Sequence, residues 1–447
     1  MKYLKLYLVL LIALIIDIVY LFKPHAMWWD ASIYLGMGHY IYSLGSIGIW
    51  EPIRPLVWPL LLGFFWKLGL NDVIIGYLLG ILFSLGSVAL AYLICRKMGN
   101  EEAGFIAALL LAFTPMFLEP VFRNMTELPS LFFALLAIYL FMDKKLFLAG
   151  AFAGISFLTK FPNGIVIALL LVASIRDFKK LLRVGLGAAI VVLPYFAFNY
   201  LMYGSVFSVI AEADAIVKNA GTWLFSGPVY YYMVGVLKQN PLYLFSIIGI
   251  YVCIRSRKYL VPALGIMFFA YFSYHVHKEL RFAVLMLPYF AILAAVGIKK
   301  MFKQGWIFWA VLGITAIVFV SQLPSEWPIS ASRQGYLQYM EGKTIGGEVL
   351  AADPLVNLYS SKAVIPMYYP VFNSGLASKW ISYINEKDAG ISYVFIDTCS
   401  GGVICNPDEK GCEAKKEELI ALLKERFKTG YYAKQDSCEY WVFEKRD

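Results

Sequence analysis

Charge is scarce in this chain. Only 15% of its 447 residues are Asp, Glu, Lys or Arg, against about 25% in soluble domains. With 60% hydrophobic residues, this excludes an ordinary water-soluble globule. The sequence also lacks a Walker loop and a dinucleotide fingerprint, which argues against nucleotide-driven transport by this chain alone. It has no internal repeat and no low-complexity tract, so no solenoid is expected. No CxxC pair occurs, and histidines number only four. The first apolar run is long for a signal peptide and lacks a small-residue cleavage site, so it reads as a signal anchor.

What is present is a series of hydrophobic runs. Eleven spans are expected, at 3–22, 73–95, 103–118, 128–142, 146–159, 163–175, 184–202, 241–254, 259–274, 282–298 and 306–321. The net charge of +9 follows the same layout. Cations gather at alternate ends of the runs: Lys2 and Lys5; Arg96 and Lys97; Lys144 and Lys145; Arg176, Lys179, Lys180 and Arg183; Arg255, Arg257 and Lys258; Lys299, Lys300 and Lys303. Few acids accompany them. By the positive-inside rule these loops face the cytoplasm. The basic excess is therefore topological, and no nucleic-acid partner is implied. The N-terminus is expected in the cytoplasm and the C-terminus outside, in the plasma membrane.

The expected architecture is an all-α polytopic membrane domain over 1–321, followed by a small extracytoplasmic α/β domain over 322–447. Outer loops at 23–72 and 203–240 mix aromatics with polar residues and suit interfacial helices. In the last segment, Val349–Ala352, Ser392–Ile396 and Tyr440–Phe443 read as strands, and Lys415–Phe427 as an amphipathic helix. Cys399, Cys405, Cys412 and Cys438 fall there. In an oxidising compartment four cysteines suit two disulfides whose pairing is not readable, and zinc is the rival.

The unusual polar residues collect on the outer side. Asp30 and Tyr34 lie in the first outer loop, with Glu51 and Arg54 further along it. Glu119, Arg123 and Glu127 flank the second outer loop, and Lys160 lies in the third. His275, His277, Lys278, Glu279 and Arg281 crowd a fourth. Each has a bland reading alone: Asp30 as a helix cap, Arg54 as a headgroup anchor, Lys160 as a snorkelling cation, Arg123 and Glu127 as an i,i+4 pair, Glu279 as a counter-charge. Asp17, inside the first span, reads as structurally paired. Five segments delivering ionisable groups to one membrane face favour a shared chemical task.

Three places carry a family resemblance. The first is Asp30 near Tyr34, followed by Glu51-Pro-Ile-Arg-Pro-Leu-Val-Trp-Pro59. The second is Arg123-Asn-Met-Thr-Glu-Leu-Pro-Ser130 with Leu158-Thr-Lys-Phe-Pro-Asn-Gly164. The third is His277-Lys-Glu-Leu-Arg-Phe282. Together they resemble the GT-C superfamily of integral-membrane glycosyltransferases. They look like protein O-mannosyltransferases, lipid A aminoarabinose transferases and the dolichyl-phosphate-mannose-dependent mannosyltransferases. The likeness covers about residues 1–321. One departure is that the family's acidic pair after the first span is reduced to Asp30 followed by Ala31.

The resemblance implies inverting transfer of a sugar from a polyprenyl- or dolichyl-phosphate donor to a hydroxyl of a protein, lipid or glycan acceptor. Asp30 is then the expected base. Arg281 and Lys278, with Lys160, Arg54 and Arg123, are expected on the donor phosphate. Glu51, Glu127, His277, Glu279 and Tyr34 are expected in support. No cofactor is fixed by the sequence. A divalent metal at Asp30, Glu51 and a histidine is an open expectation. The rival is a transporter or flippase of a lipid-linked intermediate, and Asp17 is its main support.

Overall fold

The computed structural model describes residues 4–221, 224–302, 306–322, 330–399 and 402–446. Of the cations that define the expected topology, Lys2 and Lys303 lie outside the described residues. The chain forms two compact units. One is Met1–Pro24, Pro55–Trp58 and Gly76–Ser325; the other is His25–Arg54, Pro59–Ile75 and Glu326–Asp447.

The first unit is helical, and each of the apolar runs read from the sequence forms helix. Among the described residues three helices are long and apolar enough to cross a bilayer alone: Leu4–Leu21, Asp72–Lys97 and Phe178–Tyr203. Two bent pairs raise the number to five. Glu101–Ala112 and Pro115–Phe122 meet at 72°, and Tyr231–Gln239 and Pro241–Arg255 at 120°. Proline explains both bends, because it cannot donate to the preceding turn. The Asn240 side chain accepts from Leu242 N at 3.0 Å and restarts the chain after the second bend. Other apolar helices are shorter. Leu146–Thr159 has 14 residues, about 21 Å at 1.5 Å per residue, against a hydrocarbon core of about 30 Å. Helix length thus supports a polytopic helical unit but does not establish eleven spans.

Helix ends follow local chemistry. Asn100 caps Glu101–Ala112 by accepting from Ala103 N at 3.0 Å, and Asp177 caps Phe178–Tyr203 through Lys180 N at 3.1 Å. Gly204, at φ 72°, ends the latter helix in the left-handed conformation that glycine adopts freely. Leu182, Leu186, Ile190 and Leu193 remain exposed on that helix, at the three-to-four-residue spacing of one helical face. Apolar exposure of this kind suits lipid contact. The opposite face is buried against Leu146–Thr159, where a Cβ on Gly150 would overlap the Val184 carbonyl and one on Gly187 the Phe147 carbonyl. The two backbones pack directly through these small residues.

The second unit is built on a six-stranded sheet. Its strands are β1 Gly48–Ile49, β2 Glu348–Ala351, β3 Ala363–Pro366, β4 Ile391–Asp397, β5 Lys428–Gln435 and β6 Cys438–Glu444. The spatial order is β1-β3-β2-β4-β6-β5. The first four strands in that order are parallel; β6 runs antiparallel to both of its neighbours, β4 and β5. The pleat sends alternate residues to opposite cores. Leu350, Val394 and Ile396 join Trp380, Leu419 and Leu423 from helices Ser374–Lys387 and Cys412–Arg426. Val349, Ala351 and Phe395 join Tyr336 and Leu337 on the other face. The edge strand β1 comes from the first predicted outer loop, some three hundred residues before its partner β3. The four cysteines pair as Cys399–Cys438 and Cys405–Cys412, which removes the zinc alternative for them.

Candidate functional site

The expected site residues fall into two groups, one in each unit. In the second unit, helix Trp29–Tyr42 carries Asp30 in its first turn and Tyr34 one turn later. Glu51 and Arg54 follow β1. Arg54 Nη2 lies 2.9 Å from Asp30 Oδ1, and its Nε 3.0 Å from Glu51 Oε2. The guanidinium carbon is 5.8 Å from the Tyr34 ring centroid. Glu51 is sealed at 1% exposure, and its second oxygen accepts from Tyr368 Oη at 2.6 Å. Burial opposes the charge on Arg54, but Asp30 and Glu51 outweigh it and raise its pKa well above the ordinary value. The cation is therefore fixed between two carboxylates. Asp30, with a side chain 14% exposed, is the member that an incoming group can reach.

The first unit holds the cation-rich group. Glu127 opens helix Glu127–Met142 and is fully buried. Lys160, just beyond helix Leu146–Thr159, places its Nζ 3.0 Å from Glu127 Oε1. Arg281, in the turn Leu280–Leu285, has Nη1 4.0 Å from the same oxygen. Its Nε and Nη2 grip Glu279 at 2.7 and 2.8 Å. His277 Nε2 lies 2.5 Å from Glu279 Oε1. The Phe282 ring is 5.2 Å from both Lys160 Nζ and the Arg281 guanidinium carbon. Two cations thus share one buried carboxylate beside an aromatic face, with side chains 14% and 19% exposed. A charged oxyanion reaching this low-dielectric place gains far more from them than it would in water.

Several expectations are corrected. Lys278 is not available to phosphate. Its ammonium donates to the carbonyls of Phe272, Ser273 and His275, which accounts for its three N–H groups. It closes the C-terminal end of helix Leu260–Tyr274. Burial also lowers its pKa, a further cost of keeping it charged there. Arg54 pairs with Asp30 and Glu51. Arg123 pairs with Glu119, not with Glu127. The reason is that Glu127 begins a new helix while Arg123 ends the turn Glu119–Phe122, so the two share no helical face. Asp17 is buried, yet its Oδ2 has no hydrogen-bond partner among the described residues. Tyr368 was not anticipated at all. It lies 317 positions from Glu51, and a lone tyrosine in a loop gives no sequence signal.

The donor set does not fit a divalent metal. Asp30 and Glu51 are already bridged by Arg54, whose charge repels a second cation. Among the described residues no group of three or more His, Cys, Asp or Glu side chains is placed to hold an ion.

Comparisons with known proteins agree with this architecture. Residues 53–200 match the family profile described as dolichyl-phosphate-mannose-protein mannosyltransferase. ArnT from Cupriavidus metallidurans in its apo state superposes with a TM-score of 0.68 at 14% identity, over 98% of this chain and 97% of that one. The same protein bound to undecaprenyl phosphate gives 0.68 at 13%. The oligosaccharyltransferase AglB from Archaeoglobus fulgidus, in complex with an inhibitory peptide and a dolichol-phosphate, gives 0.65 at 13%, over 98% and 74%. A search of curated proteins finds no match in sequence. AglB and ArnT are GT-C glycosyltransferases, and at these identities the likeness establishes the fold: this chain has the GT-C fold.

Proposed function

We propose that the chain transfers a sugar, with inversion, from a polyprenyl- or dolichyl-phosphate donor to an acceptor hydroxyl at the outer membrane face. The observation that carries this reading is the pairing of Lys160 and Arg281 on the buried Glu127 within a GT-C fold. Solved structures of that fold hold dolichol-phosphate and undecaprenyl phosphate, and the matched profile is that of a dolichyl-phosphate-mannose-dependent family. A mannosyl donor, a protein acceptor, eleven spans, a cytoplasmic N-terminus and an outer C-terminal region belong to the proposal.

Each group then has a task. The acceptor hydroxyl loses its proton as it attacks the anomeric carbon, and the Asp30 carboxylate takes that proton. The bond from the anomeric carbon to the phosphate oxygen breaks, and its electron pair stays on the lipid phosphate. Lys160 and Arg281 stabilise that charge as it grows. Glu127 draws the two cations together, and Glu279 holds Arg281, before the donor arrives. Attack from the face opposite the leaving phosphate inverts the anomeric configuration. Arg54 orients Asp30.

Transfer of labelled sugar from a lipid-phosphate donor in membranes tests the reading. Asp30→Asn is expected to abolish transfer while donor binding survives. Wild-type transfer by that variant removes Asp30 from the base role.

A further inference from the structure

We propose that Tyr368 is a positioning residue for the Asp30 carboxylate, acting through Glu51 and Arg54. This rests on the reading of Asp30 as base and adds to it a residue from the far end of the chain.

The argument begins with Glu51. A carboxylate with 1% exposure must find donors within the protein. It has two, and they divide its oxygens. Tyr368 Oη donates to Oε1 at 2.6 Å, and Arg54 Nε to Oε2 at 3.0 Å. A guanidinium beside a bare carboxylate prefers the fork, with Nε on one oxygen and Nη2 on the other. Arg281 approaches this with Glu279: Nη2 donates to Oε1 at 2.8 Å and Nε lies 2.7 Å from Oε2. On Glu51 the tyrosine hydroxyl anchors Oε1 and so sets the rotation of the carboxylate, which turns Oε2 to Arg54. Arg54 is restricted to a single contact, and its Nη2 is left directed at Asp30 Oδ1, 2.9 Å away.

Tyr368 is built for this task. It lies two residues beyond β3, and Glu51 two residues beyond β1, its parallel partner, with Ile49 opposite Val364. The sheet therefore delivers both side chains from neighbouring strand ends. The Tyr368 ring is buried and packs edge-on against Trp29, with centroids 4.6 Å apart. Burial, then Glu51, raises its pKa well above the ordinary value, so it remains a donor. Asn357 adds a second tie from the same region, donating to Ser32 O at 3.1 Å on the helix that carries Asp30. The titratable and charged groups around Arg54 and the tyrosine are Asp30, Tyr34, Glu51 and Asp353.

Removing the hydroxyl leaves the Glu51 carboxylate free to turn. Arg54 then closes onto Glu51 as a fork, and Asp30 loses its cation and its aim. Steady-state transfer by the full chain in lipid nanodiscs reads this, with Tyr368→Phe, Tyr368→Phe/Glu51→Gln and Asp30→Asn beside the wild type. Tyr368→Phe is expected to lower kcat about tenfold, the effect of one hydrogen bond to a charged group, with donor KM unchanged. The acid limb of its pH profile moves to higher pH, because a carboxylate without its cation protonates more readily. Adding Glu51→Gln removes the competing carboxylate, so the acid limb is expected to return toward the wild-type position. A merely structural tyrosine would not respond to the second change. If Asp30→Asn abolishes transfer while Tyr368→Phe leaves kcat and the acid limb unaltered, the positioning role is overturned and the base assignment stands. A loss in Tyr368→Phe that Glu51→Gln does not relieve also overturns it. If Asp30→Asn transfers like the wild type, the base assignment fails and this proposal fails with it.

Discussion

Individual side chains decide which cations can serve a phosphate. In sequence, Lys160, Lys278 and Arg281 look alike: outer-side cations beside aromatics. The structure separates them by partner. Lys278 is fully engaged by three carbonyls, whereas Lys160 and Arg281 share carboxylates that an anion can compete with. Lys278→Met is therefore expected to lower stability by about 2–4 kcal/mol, since buried carbonyls lose their donor, with donor KM unchanged; thermal unfolding and kinetics together check this. Arg281→Ala is expected to raise donor KM about tenfold or more with little change in unfolding temperature. The type of each charge was legible in the chain, but its partner was not. Arg123 pairs with Glu119 rather than Glu127, and Arg54 with Asp30 and Glu51, because helix breaks and long-range contacts decide such pairings.

At the level of elements, apolar runs translated directly into helices, since hydrophobic length is a local property. Helices 10–17 residues long broke the simple rule of one run to one full span. The sheet was less legible. The segments containing β2, β4 and β6 showed in the sequence, but β1 is only Gly48–Ile49 and gains its identity from β3 alone. The C-terminal end of β4 carries a pH-sensitive feature. Asp397 Oδ1 accepts from Cys399 N at 2.7 Å, while its Oδ2 is buried with no hydrogen-bond partner among the described residues. Burial, followed by the neighbouring Asp353, pushes Asp397 up to about 7; Arg333 Nη2, 2.7 Å from Asp353 Oδ2, offsets only part of this. An acid with a raised folded pKa holds its proton longer in the native state. Its contribution to stability is therefore complete below about pH 4 and is lost as pH rises toward 7, then levels off. Asp397→Asn is expected to flatten that part of the pH–stability curve, followed by hydrogen exchange of β4 amides in the full chain.

For the whole molecule, the proposed topology puts the cationic loops in the cytoplasm and the sheet outside. Cysteine introduced at Lys145 is expected to react with an impermeant maleimide only after permeabilisation, and cysteine at Lys379 in intact cells; both side chains are exposed. Equal labelling of Lys145→Cys in intact cells would reverse the orientation. The GT-C likeness was readable from four short motifs because chemistry at a membrane face concentrates rare ionisable residues in greasy sequence. The contribution of the C-terminal region to the Asp30 group was not, because Tyr368 reaches Glu51 only through folding.

The central claim is that sugar leaves its lipid phosphate on this protein. The most direct measurement follows both products in vesicles reconstituted with the full chain, a doubly labelled polyprenyl-phosphate sugar and an acceptor. The account predicts that glycosylated acceptor and free polyprenyl phosphate appear together in equal amounts, and that neither appears with Asp30→Asn. Movement of the intact lipid-linked sugar across the bilayer, with no release of lipid phosphate, would contradict it.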